Sequence, residues 1–142
     1  METFYDTHAH LTFPDFADEI PAVIERAQAA GIAKIITIGT DLESSLRAVQ
    51  LAETHESIYA VVGWHPNDLE SAPEDVRDGL RPLCVHSKVV AIGEIGIDHY
   101  RLPSGEGGSE AEDVIWKARQ EKIFRQQLEL AVEQNLNVVV HQ

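Results

Sequence analysis

Asp6-Thr7-His8-Ala9-His10 follows the short apolar lead Phe4-Tyr5, and its reading decides the fold. An apolar lead running into this stretch predicts the end of a first strand. Strand side chains alternate between faces, so Asp6, His8 and His10 are expected on one face and Thr7 and Ala9 on the other. Two imidazoles two residues apart on one face, roughly 6.6 Å between Cα atoms, can reach a single metal ion. Taken alone, a His-x-His pair is more often two ordinary surface histidines. Its weight comes from what the following segments deliver.

Moving outward, Phe16, Ile20, Val23, Ile24 and Ala27 recur at helical spacing. Asp15 is the expected N-cap, Asp18 and Glu19 suit a first turn, and Gly31 sits at the C′ position. Ile35–Ile38 is a compact β-branched run. Asp41 is placed to cap a second helix that turns Leu42, Leu46, Val49 and Ala52 inward. A third strand, Ile58–Val62, runs into Gly63-Trp64-His65-Pro66. The third helix is expected from Ser71 to about His86, with Pro73, Glu74 and Asp75 in its first turn and Val76, Leu80 and Leu83 on one stripe. Val89–Ile92 is the fourth strand, followed by Gly93-Glu94-Ile95-Gly96-Ile97-Asp98 and a turn-rich loop over 102–109. The longest helix spans Glu110 to Gln134, with Trp116, Ile123, Phe124, Leu128 and Ala131 on its buried stripe. Gln120 and Gln127 fall on the same stripe, either bonded to backbone or exposed at its edge. Val138–Val140 is the fifth strand, and His141 follows it.

This βαβαβαβαβ order, with continuously apolar strands joined by helices, indicates a parallel sheet covered by helices. An open doubly wound sheet would carry a glycine-rich phosphate-binding turn after the first strand. Histidines stand there instead. A (β/α)8 TIM-type barrel places its chemistry at the C-terminal ends of several strands, and the chain follows that pattern. The expectation is α/β, an incomplete barrel of about five strands and four helices, with residues 1–142 forming the N-terminal part of one domain.

Composition bounds the function. Of 142 residues, 44% are hydrophobic and 25% charged, which suits one soluble core. No apolar run approaches the ~20 residues of a membrane span, so no membrane partner is expected. The N-terminal Met1-Glu2-Thr3 lacks the features of a signal peptide. The single Cys84 cannot form an internal disulfide, and a reducing cytoplasm is the default location. A net charge of −13 with 11 Lys and Arg argues against a non-specific DNA-binding module. It is compatible with an enzyme that grips phosphate through bound cations.

In a parallel sheet, His8, His10, His65, Glu94, Asp98 and His141 all lie on one rim. Imidazole and carboxylate without thiolate suit Zn, Mn, Fe or Ni better than a dedicated Ca or Mg cage. Glu94 has two oxygens and could bridge two ions. Two ions form a common hydrolytic device, in which one generates hydroxide and both stabilise charged phosphoryl oxygens. Asp6 is better placed to support His8 than to bind an ion itself.

The motifs Asp6-Thr7-His8-Ala9-His10-Leu11, Gly63-Trp64-His65-Pro66, Gly93-Glu94-Ile95-Gly96-Ile97-Asp98 and Val139-Val140-His141 resemble, in register along the whole chain, those of the TatD family. These are metal-dependent deoxyribonucleases of the amidohydrolase-like barrel superfamily. The resemblance implies a binuclear centre of two divalent ions (Zn, Mn, Mg, Fe or Ni). His8 and His10 would hold one ion, Glu94 would bridge, and His141 would hold the other. It implies hydrolysis of DNA or nucleotide phosphodiesters, with Glu94, His65 and Asp98 as catalytic candidates and Tyr100 as a supporting residue. The family's barrel continues for three more strands and supplies a further His and a final Asp. The chain is therefore expected to be a truncated or partial sequence, weak as a nuclease, with open sheet edges that invite self-association. The competing readings are an amidohydrolase acting on a small amide or ester, and an inactive half-barrel that only binds metal or a partner chain.

Overall fold

The computed structural model describes residues 2–142. Five strands, β1 (Phe4–Ala9), β2 (Ile32–Ile38), β3 (Ile58–Val62), β4 (Val89–Gly96) and β5 (Asn137–His141), pair in parallel in the order β1-β2-β3-β4-β5. Sequential parallel pairing with helical crossovers is the arrangement of a barrel wall, and the sheet forms half of one. The connecting helices are α1 (Ile20–Ala29), α2 (Leu42–Thr54), α3 (Arg77–Cys84) and α4 (Glu110–Gln134).

The main core lies between sheet and helices, around Ile35, Ile58, Ala60, Val62, Ile92 and Ile95 from the strands and Leu80, Ile123 and Leu130 from the helices. The opposite, concave face carries a smaller cluster of Ile38, Val61 and Ala91, with Ile36, Val90 and Val139 packed on it. Apolar side chains on both faces explain why the strands are continuous rather than alternating in the sequence. At the two edges, Phe4, Tyr5, Val138 and Val140 are exposed. No helix among the described residues is long and apolar enough to cross a membrane.

Several boundaries differ from the sequence expectation. Pro14–Phe16 forms a 3-10 turn, and α1 starts only at Ile20, with Pro21 in its first turn and Glu19 rather than Asp15 at the N-cap. In α2, Asp41 caps as expected, its carboxylate accepting from Ser44 N at 2.7 Å. Its buried face, however, is Ser45, Ala48, Val49 and Ala52, and Leu46 is 43% exposed. Helix α3 begins at Arg77, not Ser71, because the Pro73–Val76 backbone is engaged elsewhere. Gln126 on α4 accepts from Val76 N and donates to Glu74 O. Strand β4 runs on to Gly96, which puts Glu94 inside the strand rather than past its end.

Candidate metal centre

Strand β1 carries an irregularity. Asp6 pairs with Ile35 and Ala9 with Thr37, so three steps on β1 match two on β2. Such a bulge breaks the alternation of faces. Thr7 and His8, neighbours in sequence, accordingly both line the concave face, and the expectation that Thr7 points away from His8 does not hold. The Asp6 carboxylate turns back to accept from His8 backbone N at 3.1 Å and does not touch an imidazole.

The two rings of the pair still converge. His8 Nε2 lies 3.3 Å, and His10 Nε2 3.8 Å, from the same Oε2 of Glu94. His10 Nδ1 is 3.2 Å from Ile38 O. A carbonyl can only accept, so Nδ1 carries the proton and Nε2 turns a lone pair toward Glu94. Phe13 stacks on the His10 ring at 4.9 Å between centroids and fixes its plane.

The other oxygen of Glu94 faces a second group. His141 Nδ1 is 3.0 Å from Glu94 Oε1 and 3.1 Å from His65 Nε2. The surrounding donors assign the protons. Asn67 backbone N donates to His65 Nδ1 at 3.1 Å, so neutral His65 carries its proton on Nε2. His141 Nε2 lies 3.0 Å from Asp98 Oδ2, a carboxylate, so it carries the proton there. A consistent chain results: Asn67 N–H to His65, His65 Nε2–H to His141 Nδ1, His141 Nε2–H to Asp98. His141 Nδ1 and Glu94 Oε1 then face each other as two acceptors, an arrangement that a cation relieves. Close approach at this point depends on Gly96, which pairs with His141 and where any Cβ would strike the His141 carbonyl.

Electrostatics follow the same geometry. Burial, and next the neighbouring His141, hold the His65 pKa below its ordinary value. The hydrogen bond from Tyr100 N, then that from Asn67, hold the Asp98 carboxyl below the usual carboxylate range.

His8, His10 and Glu94 thus form one group able to hold a divalent ion, and His65, Glu94 and His141 lie within reach of a second. Imidazole lone pairs around a shared carboxylate suit a divalent transition metal. The structure brings together His8, His10, His65, Glu94, Asp98 and His141. It leaves out the Tyr100 ring, which is 91% exposed; only its backbone N–H reaches the site, donating to Asp98 Oδ1 at 2.8 Å. Asn67 was not legible as a site residue. Its N–H orients His65 and its side-chain Nδ2 donates to Asp98 Oδ2 at 2.7 Å. The one signal was its place two residues after His65, past a proline. A concavity of about 600 Å3 opens beside Asn67 toward Arg101, Leu102 and Trp116, not over the imidazoles.

The chain is similar to known proteins in sequence and in fold. The family described as TatD related DNase matches residues 5–142. A metal-dependent hydrolase of Bacillus subtilis, YabD, is 36% identical over 96% of this chain and 49% of its own length. A 3'-5' ssDNA/RNA exonuclease TatD of Enterobacter lignolyticus is 34% identical over 96% of this chain and 48% of its own. The crystal structure of the Escherichia coli TatD homologue YjjV superposes with a TM-score of 0.84 at 35% identity, covering 97% of this chain and 50% of that one. The chain spans about half the length of the curated relatives it matches. With the matched segment, the strand order and the His/Glu rim in agreement, the chain belongs to the TatD-related DNase family.

Proposed function

We propose that this chain forms the N-terminal part of a metal-dependent hydrolase that cleaves nucleic-acid phosphodiester bonds at a binuclear centre. The observation that carries this reading is Glu94, whose two oxygens face two separate imidazole groups. His8 and His10 would hold one ion, His141 the other, and Glu94 both. Bound there, such ions would activate water and neutralise phosphoryl oxygens, supplying the positive charge that a chain of net −13 lacks. The chain's own residues prepare the site. Asp98 keeps the His141 proton on Nε2 and leaves Nδ1 free. His65, held neutral with its proton on Nε2, offers a donor to a substrate oxygen once His141 Nδ1 is engaged elsewhere. The relatives named as exonucleases acting on single-stranded DNA and RNA support nucleic acid as the substrate class.

The test uses a protein spanning the full length of these relatives, end-labelled single-stranded DNA and added Mn2+ or Zn2+. Glu94→Gln, which keeps shape but removes the charge facing both imidazole groups, should reduce cleavage by at least a hundredfold. The pair His8→Ala, His10→Ala should lower the metal content measured by mass spectrometry. Wild-type rates in Glu94→Gln would refute the bridging role. Turnover of small amides or lactones but not DNA would move the assignment to the amidohydrolase reading.

A further inference from the structure

We propose that Gln120, with Gln127 behind it, is a positioning residue of this centre: buried amides of α4 that replace strand pairing where β3 and β4 stop pairing, and so set His65 and Asp98 in place. The proposal rests on the metal reading above. The β3–β4 ladder ends at the pair Val62–Ile92. Past it, β3 and β4 no longer pair with each other: β4 keeps only β5 as a neighbour, through Ile95 and Gly96, and the turn into His65 keeps the bond from His65 N to Thr40 O. Helix α4 supplies the missing partner. Gln127 Oε1 accepts from Trp64 N at 2.7 Å and its Nε2 donates to Trp64 O at 3.0 Å. Gln120 Oε1 accepts from Asp98 N at 3.1 Å, and its Nε2 donates to Asp98 O at 2.9 Å and to Pro66 O at 3.1 Å.

Each amide thus presents one acceptor and one donor to a single residue's backbone, the pairing a neighbouring strand would give. Spacing of seven residues puts both on one face of the helix. Neither amide is more than 1% exposed, so each hydrogen bond lost would leave a buried group unpaired. Gly63 makes room for this contact: a Cβ there would lie 2.9 Å from Gln127 Oε1 and 2.5 Å from Gly93 O.

Gln120 matters most because it ties two loops together. It holds Pro66, between His65 and Asn67, and Asp98, to which Asn67 donates. Asp98 in turn fixes the His141 tautomer through Nε2. Loosening Gln120 therefore frees the carboxylate that keeps His141 Nδ1 available to an ion. Partners behind metal-binding histidines are worth ten- to a hundredfold in metal affinity.

A neighbour on the same helix provides the control. Gln126 is also buried and also holds backbone, but at Glu74 and Val76, which lead into α3 and carry none of the site residues. Gln120→Met and Gln126→Met each remove comparable hydrogen bonds without changing side-chain length. Imidazole 15N NMR of the metal-free chain reads the His141 tautomer, and calorimetry with Zn2+ reads affinity. Gln120→Met should mix the His141 tautomers and weaken Zn2+ binding about tenfold or more, while Gln126→Met changes neither. Should Gln120→Met fail to fold, Gln120→Glu, which keeps the acceptor for Asp98 N–H but loses both donors, takes its place with the same expectation. Equal tautomers and equal affinity in the Gln120 and Gln126 variants would overturn the proposal. A wild-type chain that takes up no Zn2+, with the tautomer still responding to Gln120 alone, would refute the metal reading and leave the positioning role standing.

Discussion

Asp98→Asn isolates the proton arrangement on which the second of the two proposed ion places depends. The Asp98 carboxylate accepts three hydrogen bonds, from Tyr100 N at 2.8 Å, Asn67 Nδ2 at 2.7 Å and His141 Nε2 at 3.0 Å. An amide of the same shape offers one oxygen. If that oxygen stays on Tyr100 N–H, the new NH2 faces Asn67 and His141. Asn67 can answer by rotating its amide, because its Oδ1 is buried without a partner among the described residues. His141 can answer only by moving its proton from Nε2 to Nδ1. The Nδ1–H then meets Glu94 Oε1, 3.0 Å away, and His65 Nε2–H loses its acceptor. One donor left unpaired costs about 1–3 kcal/mol, partly offset by the new contact to Glu94, so the stability loss should be about 1–2 kcal/mol.

The larger effect is on the metal. With Nδ1 protonated, the lone pair offered to an ion is gone, and affinity should fall ten- to a hundredfold, about 1.4–2.7 kcal/mol. Zn2+ calorimetry, imidazole 15N NMR and urea unfolding measure the three quantities on one sample. Activity in a protein spanning the relatives' full length should fall less than for Glu94→Gln, since only one of the two proposed ion places is touched. An unchanged His141 tautomer together with unchanged Zn2+ affinity would refute the reasoning.

Two further outcomes follow from the charged and ionisable groups. His65 is held below its ordinary pKa, so the unfolded chain binds the extra proton first. The metal-free protein should have its full stability above about pH 6.5 and lose some as pH falls through the window below it, and His65→Gln should flatten that slope in urea titrations. Identical slopes in both proteins would show that His65 is not the group responsible. Burial pushes the Cys84 thiol up to about 11, leaving about a thousandth of it ionised near pH 8. A thiol reagent should label the native chain slowly and the unfolded chain at the rate of a free cysteine; rapid native labelling would contradict the packing of α3.

The sequence by itself determined the element order, the parallel sheet and the rim on which the chemistry stands. Those properties are local and periodic. The apolar runs of β2, β3 and β4, the Asp41 cap and the extent of α4 follow from short-range preferences that the fold does not override. The same regularity put His8, His10, His65, Glu94, Asp98 and His141 at strand ends. It could not place the bulge that turns Thr7 and His8 to one face, because a bulge is decided by pairing with β2. The late starts of α1 and α3 were also beyond it. Pro73–Asp75 has the residues of a helix start, yet Gln126, fifty residues away in sequence from Val76, claims that backbone first. Proton placement lay furthest out of reach. Whether His65 offers a donor or a lone pair depends on how the loop folds Asn67 N–H back onto its ring, and the His141 proton depends on Asp98, a contact made only when β4 and β5 pair and bring the two residues within about 3 Å.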